Sequence, residues 1–270
     1  MTAYHGMLLI GFVVSLVAFS AIWLLQRKLN DAGIVDVFWS MMVASLGLFY
    51  CVAGFGNQAR RLIAGVMVFL WAMRLSHYLL DRWLRSPEDR RYAALKQEWG
   101  KAAQVRLFRF YQLQAMGCVL FSVPLFIAAN NNSDLNWLDA IGVLIFIVSL
   151  LGEWIADRQL DAFKRQPENT GKVCQTGLWS LCRHPNYFFE WTHWFSYVFL
   201  AITLDWGWVS LVAPIAMYYF LTQKTGIPET EKQALISKGE AYREYQRTTN
   251  AFFPWPSKTT PQVTTTNTAH

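Results

Sequence analysis

Seven stretches of this chain, at about 7–25, 34–56, 61–83, 111–130, 137–155, 187–204 and 207–223, are apolar over lengths that approach or reach a bilayer crossing, for which a helix needs about 20 such residues. No other feature of the sequence restricts the fold so tightly. In hydrocarbon every backbone N–H and C=O must be satisfied within its own segment, so runs of this kind are helices. The expected fold is all-α: a polytopic membrane helix bundle of about seven transmembrane helices, with cytoplasmic loops and a short C-terminal helix. Seven spans and their loops use nearly all 270 residues, which leaves no room for a large soluble domain. Only 16% of the residues are charged, against about 25% in soluble domains. Pro124 interrupts the fourth stretch, and only an Asp205-Trp206 turn separates the last two.

Seven spans put the termini on opposite sides, and the positive-inside rule assigns them. With the N-terminus outside, the inner segments 26–33, 82–110, 156–186 and the tail from 224 hold 2, 8, 5 and 6 of the 24 Lys and Arg residues. Arg60 and Arg61 alone lie outside, and Arg74 lies within a span. The orientation is therefore N-out/C-in. No Lys or Arg precedes the first apolar run, which reads as a membrane helix rather than a secretory signal. The net charge of +6 is explained by this sidedness, so no nucleic-acid partner is expected. Cys51, Cys118, Cys174 and Cys182 stand singly without a CxxC pair, so neither a disulfide framework nor a metal site is expected.

An ionisable group at mid-membrane depth costs about 2.5 kcal/mol or more, so each one needs a reason. Asp36, Arg74, His77 and Asp81 in the first half, and Glu153, Asp157, Glu190 and His193 in the second, lie mostly toward the inner ends of their spans. Together they point to a polar cavity opening to the cytoplasm. The 82–110 segment mixes charges and aromatics in the manner of an interfacial helix, and its Glu88-Asp89-Arg90-Arg91-Tyr92 block suits an ordered turn that could receive a phosphate.

The richest stretch runs from Gly177 to Trp194. Pro185 is suited to the first turn of a new helix, on which Asn186 and Glu190, four residues apart, share a face with Tyr187 and Trp194 beside it. Arg183 and His184 add positive charge where a helix N-terminus already favours an anion. A phosphorylated or carboxylated ligand is the natural guest. Residues from Pro256 to His270, rich in Thr and Pro, are expected to be disordered.

Gly177-Leu178-Trp179-Ser180, Arg183-His184-Pro185-Asn186-Tyr187-Phe188-Phe189-Glu190-Trp191, Glu229-Thr230-Glu231, Tyr242-Arg243-Glu244-Tyr245 and Ala251-Phe252-Phe253-Pro254-Trp255 resemble the C-terminal domain of the steroid 5-alpha-reductase superfamily. The likeness is greater to a bacterial branch of uncharacterised multi-span membrane proteins. Asp36-Val37-Phe38-Trp39, Arg74-Leu75-Ser76-His77 and the Glu88-to-Tyr92 block extend it over most of residues 30–255. The resemblance implies an integral, multi-pass protein of the bacterial inner membrane. It implies a substrate-side half at 1–136, a cofactor-binding half at 137–255 and a tail at 256–270.

It further implies an NADPH-dependent oxidoreductase that reduces a carbon–carbon double bond conjugated to a ketone. Asn186 and Glu190 match the family's Asn-x-x-x-Glu cofactor pair, Asp157 its acid at the end of the preceding span, and Tyr245 its tyrosine nine residues before the hydrophobic-Pro-aromatic ending. Lys164, Arg165, Arg183 and His184 would hold the cofactor phosphates, with Tyr187 alongside. His77-Tyr78 matches a pair whose tyrosine protonates the substrate ketone. The family's Gln-Glu-Leu-Pro acid is absent here, and Asp36 is the nearest acid on the neighbouring helix. No GxGxxG follows a strand, so a Rossmann site is not expected. An apolar lipid or steroid-like substrate would enter from the bilayer, and no obligate protein partner is implied. The same C-terminal motifs also resemble S-adenosylmethionine-dependent isoprenylcysteine and phospholipid methyltransferases, the alternative reading.

Overall fold

The computed structural model describes residues 2–85 and 87–256. Ten α-helices follow in order: α1 (Thr2–Leu29), α2 (Ile34–Ala53), α3 (Gln58–Arg85), α4 (Arg90–Trp99), α5 (Ala103–Ala129), α6 (Trp137–Arg165), α7 (Pro185–Ala201), α8 (Val212–Tyr219), α9 (Ile227–Lys238) and α10 (Glu240–Thr248). There is no strand among the described residues, so the all-helical membrane architecture stands. The expectation of disorder at the C-terminal end falls, beyond Pro256, outside the described residues.

Five helical stretches are long and apolar enough to cross a membrane: α1, α2, α3, the α4–α5 stretch from Arg91 to Ala129, and α6. The sixth and seventh expected spans are not built the same way. Helix α7 has 17 residues, about 25 Å of helix against about 30 Å of hydrocarbon. The 207–223 stretch breaks into a 3-10 turn at Gly207–Leu211, the eight-residue α8 and a π turn at Phe220–Lys224. Gly207 explains the first break: a Cβ there would strike the Ala201 carbonyl and the Ile202 backbone at the end of α7. The short C-terminal helix is two helices, α9 and α10, parted at Gly239, whose φ of +55° suits glycine.

The chain forms two compact units. One comprises residues up to Phe146 together with Trp194–Ala213; the other comprises Ile147–His193 and the chain from Pro214. The boundary expected at 136/137 falls at the start of α6, whereas compactness changes partway along α6 and again along α7. Both helices are continuous, and each half has its own partners.

In the first unit α2 packs against α3 and α5. Gly47 permits the close approach, since a Cβ there would come within 2.7 Å of Leu125. Trp39, Trp71, Phe121 and Trp194 interlock edge-on or tilted, with Trp71–Trp194 at 5.4 Å and Phe121–Trp194 at 4.9 Å. The outer surface is apolar as well, where Leu9, Val17, Leu62 and Met73 are exposed as lipid-facing residues should be. The outer end is pinned by Arg60, which is fully buried. Its guanidinium grips Asp139 at 2.6 and 2.8 Å and donates to the Asn131, Ser133 and Asp134 carbonyls. Every N–H of its fork is thereby used. Arg61 closes α2 by donating to the Cys51 and Val52 carbonyls.

In the second unit the 166–184 strap folds back along α6. The Trp179 indole donates to the Ala156 carbonyl at 2.9 Å, and the Leu178 amide to Gln159 Oε1 at 2.9 Å. The chain after α10 runs beside the end of the strap, with Arg183 N bonded to the Asn250 carbonyl and Trp255 N to the Leu181 carbonyl. Phe188, Trp191, Tyr218 and Phe252 form an aromatic cluster at 5.4–6.0 Å that holds α7, α8 and this terminal segment together.

Candidate functional site

Helix α6 carries Glu153 and Asp157 one turn apart, and both are buried although a carboxylate so placed must be compensated. Helix α7 supplies the facing groups. Asn186 Nδ2 donates to Asp157 Oδ1 at 3.2 Å, and Asn186 Oδ1 accepts from the Tyr187 amide at 3.0 Å, so the amide plane is fixed at both ends. One turn further, Glu190 is buried, with His193 Nδ1 at 4.0 Å from its Oε1 and 3.2 Å from its carbonyl. The spacing of 186, 190 and 193 places the three on one side of α7. Pro185 at the first position explains why the helix begins there.

Ahead of α7 the strap is locked by a single carboxylate that the sequence reading left out of its site. Glu231 on α9 receives Arg183 Nε at 2.7 Å, His184 Nε2 at 3.1 Å and Gln246 Nε2 at 2.7 Å, with the Tyr242 hydroxyl at 3.4 Å. Arg183 also donates to the Gln246 and Thr249 carbonyls. The His184 ring stacks flat on Tyr187 at 5.3 Å, and the Tyr187 hydroxyl meets Thr230 Oγ1 at 3.0 Å. Burial would raise the Glu231 carboxyl, but the hydrogen bonds from His184, Arg183 and Gln246 and the Arg183 charge outweigh it and bring it to about 2. Burial lowers His184 despite its bond to Glu231. Tyr245 is buried and donates to the Trp179 carbonyl, with the Cys182 carbonyl at 3.3 Å.

Lys164 and Arg165 end α6 as exposed side chains. Lys238, in the last turn of α9, is lowered first by burial and then by the charge of Lys164. These ammonium groups are therefore neighbours. Neither lysine makes an ion pair among the described residues, and sequence spacing gave no hint of Lys238, 74 positions away.

In the first unit Asp36 is held by Tyr92, whose hydroxyl donates at 2.6 Å, and by Arg91 at 3.0 Å, with Arg82 at 3.8 Å. Asp89 caps α4 through the Arg91 amide. Burial would raise its carboxyl, yet hydrogen bonds from Arg91 and the charges of Arg91 and Arg82 hold it below the usual range. The Glu88-to-Tyr92 block is thus an ordered turn, in which Asp89 pairs with Arg91 and Glu88 reaches Lys96 and the Ala32 amide. His77 is exposed and Tyr78 half-buried on α3.

A family model described as a protein of unknown function, DUF1295, matches residues 22–249, which takes in most of both units and every residue of the candidate site. The chain belongs to the DUF1295 family. Among relatives of this DUF1295 chain, an uncharacterised protein of Schizosaccharomyces pombe is 27% identical over 282 residues, covering 91% of this chain and 79% of that one. A steroid 5-alpha-reductase of Gossypium hirsutum is 34% identical over 79 residues, 29% of each chain. A probable O-methyltransferase of Ustilaginoidea virens is 46% identical over 48 residues, 18% of this chain and 17% of that one. No solved structure matches.

Of the expected site residues, the DUF1295 structure brings Asp157, Asn186 and Glu190 together on α6 and α7, with Tyr187 adjoining. Arg183 and His184 turn toward Glu231 on α9, and Tyr245 faces backbone carbonyls of the strap. Lys164 and Arg165 stand at the end of α6, with Lys238 added to them. Asp36, His77 and Tyr78 belong to the first unit.

Proposed function

We propose that the protein is a membrane-embedded NADPH-dependent reductase of a carbon–carbon double bond conjugated to a ketone, in an apolar lipid or steroid-like substrate. The observation that carries this reading is the Asp157–Asn186–Glu190 arrangement, a half-buried amide anchored on one buried carboxylate with a second buried carboxylate one turn along its helix. The residues fit the group. An amide and carboxylates are the partners a carboxamide and ribose hydroxyls require, and Lys164, Arg165 and Lys238 offer uncommitted positive charge for phosphates. NADPH, when bound, supplies the hydride.

In this proposal Asp157 orients Asn186, and Asn186 and Glu190 hold the nicotinamide and sugar portions. Charge developing on the substrate carbonyl oxygen calls for a strong hydrogen-bond donor in a site without water, and Tyr78 takes that role with His77 next to it in the chain, while Asp36 is engaged by Tyr92 and Arg91. Arg183 and His184 act through Glu231 by fixing the strap on which Asn186 begins. The partial similarity to the Gossypium hirsutum reductase supports the reaction class. The similarity to the Ustilaginoidea virens methyltransferase favours one second reading, in which the same pocket holds S-adenosylmethionine for methyl transfer to a lipid or prenylated substrate.

Thermal unfolding of the detergent-purified protein with NADPH, NADH or S-adenosylmethionine separates the two. A ligand at 100 times its Kd stabilises the folded form by about 2.7 kcal/mol. Stabilisation by NADPH, lost in Asn186→Ala and Glu190→Ala, is the expected result. Stabilisation by S-adenosylmethionine alone, lost in the same variants, replaces the reductase with the methyltransferase.

A further inference from the structure

The second unit carries an apolar groove that none of these roles uses. It has a volume of about 470 Å³ and is lined by Val148, Leu151, Gly152, Ile155 and Gln159 of α6, Phe189 of α7, and Gly177 and Leu178 of the strap. Residues 148, 151, 152, 155 and 159 form one stripe of α6, turned away from the buried carboxylates at 153 and 157. Glycine at 152 lets Phe189 form the wall there: its ring lies against the α6 backbone where a side chain would go, 2.5 Å from an added Cβ. Gln159 closes one end, its Oε1 already taken by the Leu178 amide.

Water is a poor occupant of such a space, because it needs two to four polar partners and the lining offers one polar side chain, Gln159, whose Oε1 is already taken. Length narrows the choice. From Val148 to Gln159 the groove follows eleven residues of α6, about 16 Å of helix, which is half of a hydrocarbon core of about 30 Å. It thus matches one leaflet. Charge gives the direction: the Gln159 end is the basic end of α6, where exposed Arg158 lies over the Trp154 ring at 5.0 Å, a pairing suited to the headgroup level. Leu151 and Ile155 are themselves exposed, so the groove opens to the bilayer. We propose that this groove is a binding site for a single acyl chain of a membrane phospholipid, its glycerol end at Gln159 and its methyl end at Val148.

The test uses the full-length protein in bilayer nanodiscs of phosphatidylglycerol containing one of two photoreactive analogues, with a diazirine at the methyl end or next to the glycerol end of the chain. Labelled residues are mapped by mass spectrometry. The methyl-end probe is expected to label Val148, and the glycerol-end probe Ile155 and Leu178. Each should exceed the lipid-facing residues Leu9 and Leu62 of the first unit roughly tenfold, a preference of about 1.4 kcal/mol. Leu151→Trp, at an exposed position, fills the groove and should remove the excess while leaving Leu9 and Leu62 labelled as before. Equal labelling of groove and reference residues, the same residues labelled by both probes, or an excess that survives Leu151→Trp overturns the proposal. None of these outcomes depends on which cofactor the protein binds.

Discussion

Glu231 shows how much can rest on one side chain. It is the common acceptor of a guanidinium and an imidazole from the strap and an amide from α10, so Glu231→Ala leaves Arg183 buried without its counter-charge. Losing one member of a buried pair costs about 3–5 kcal/mol, and thermal unfolding in detergent should show a fall of that order. Glu231→Gln, which keeps an acceptor, should lose less. Tyr92→Phe is expected to cost about 1–3 kcal/mol by removing the hydroxyl from Asp36, without altering cofactor-induced stabilisation. The Asn186–Glu190 pair was legible in the sequence because four residues on a helix is a local relation. Asp157 stood out by the cost of a charge in a span, but its place beside Asn186 came only by resemblance, as that contact spans 29 positions. Glu231 was quoted in a motif, but its partners lie 47 and 48 positions away, and no spacing rule reaches that far.

At the scale of elements, close packing and turn chemistry make sharper predictions than hydropathy does. Gly152→Ala sets a methyl against the Phe189 ring and should destabilise by about 1–3 kcal/mol as overpacking does. Combining it with Phe189→Leu should recover part of that loss in the same melting assay. Gly239→Ala forces a side chain into the left-handed region between α9 and α10, at a cost of about 1–2 kcal/mol, seen as faster limited proteolysis at that joint. Helices α1, α2, α3, α5 and α6 could be read from their apolar runs because length and composition alone define them. The sixth and seventh runs were equally apolar, but Gly207 and the π turn at Phe220–Lys224 shape that region, and mean apolarity does not register such local geometry. Pro185 did announce α7, since a proline at a first turn is a local signal.

For the molecule as a whole, groups held below their ordinary range set an acid limit to stability: Asp89 in the first unit and His184 and Glu231 in the second. His184 takes its proton at lower pH when folded than the ordinary 6.5, and Glu231 at about 2 rather than 4.5. Each therefore binds more protons unfolded than folded, so stability falls as the pH drops. The first loss begins below 6.5 and belongs to His184; the second lies between 4.5 and about 2 and belongs to Glu231. Denaturation midpoints measured against pH should show both limbs; His184→Asn should erase the first and, by removing a hydrogen bond that lowers Glu231, narrow the second. The all-helical membrane class was legible from the sequence, whereas the way the chain divides was not. Because Trp194–Ala213 belongs to the first unit, that unit lacks a piece until residue 213 has left the ribosome. By then Ile147–His193 has already emerged, while its own unit still awaits everything from Pro214. Synthesis from the N-terminus thus cannot deliver one finished unit and then the other, as it can for domains arranged in series. A nascent chain halted when Phe146 has emerged should stay open to protease, and one halted when Ala213 has emerged should protect its first half, so the membrane insertion machinery must shelter an unfinished protein for most of its translation.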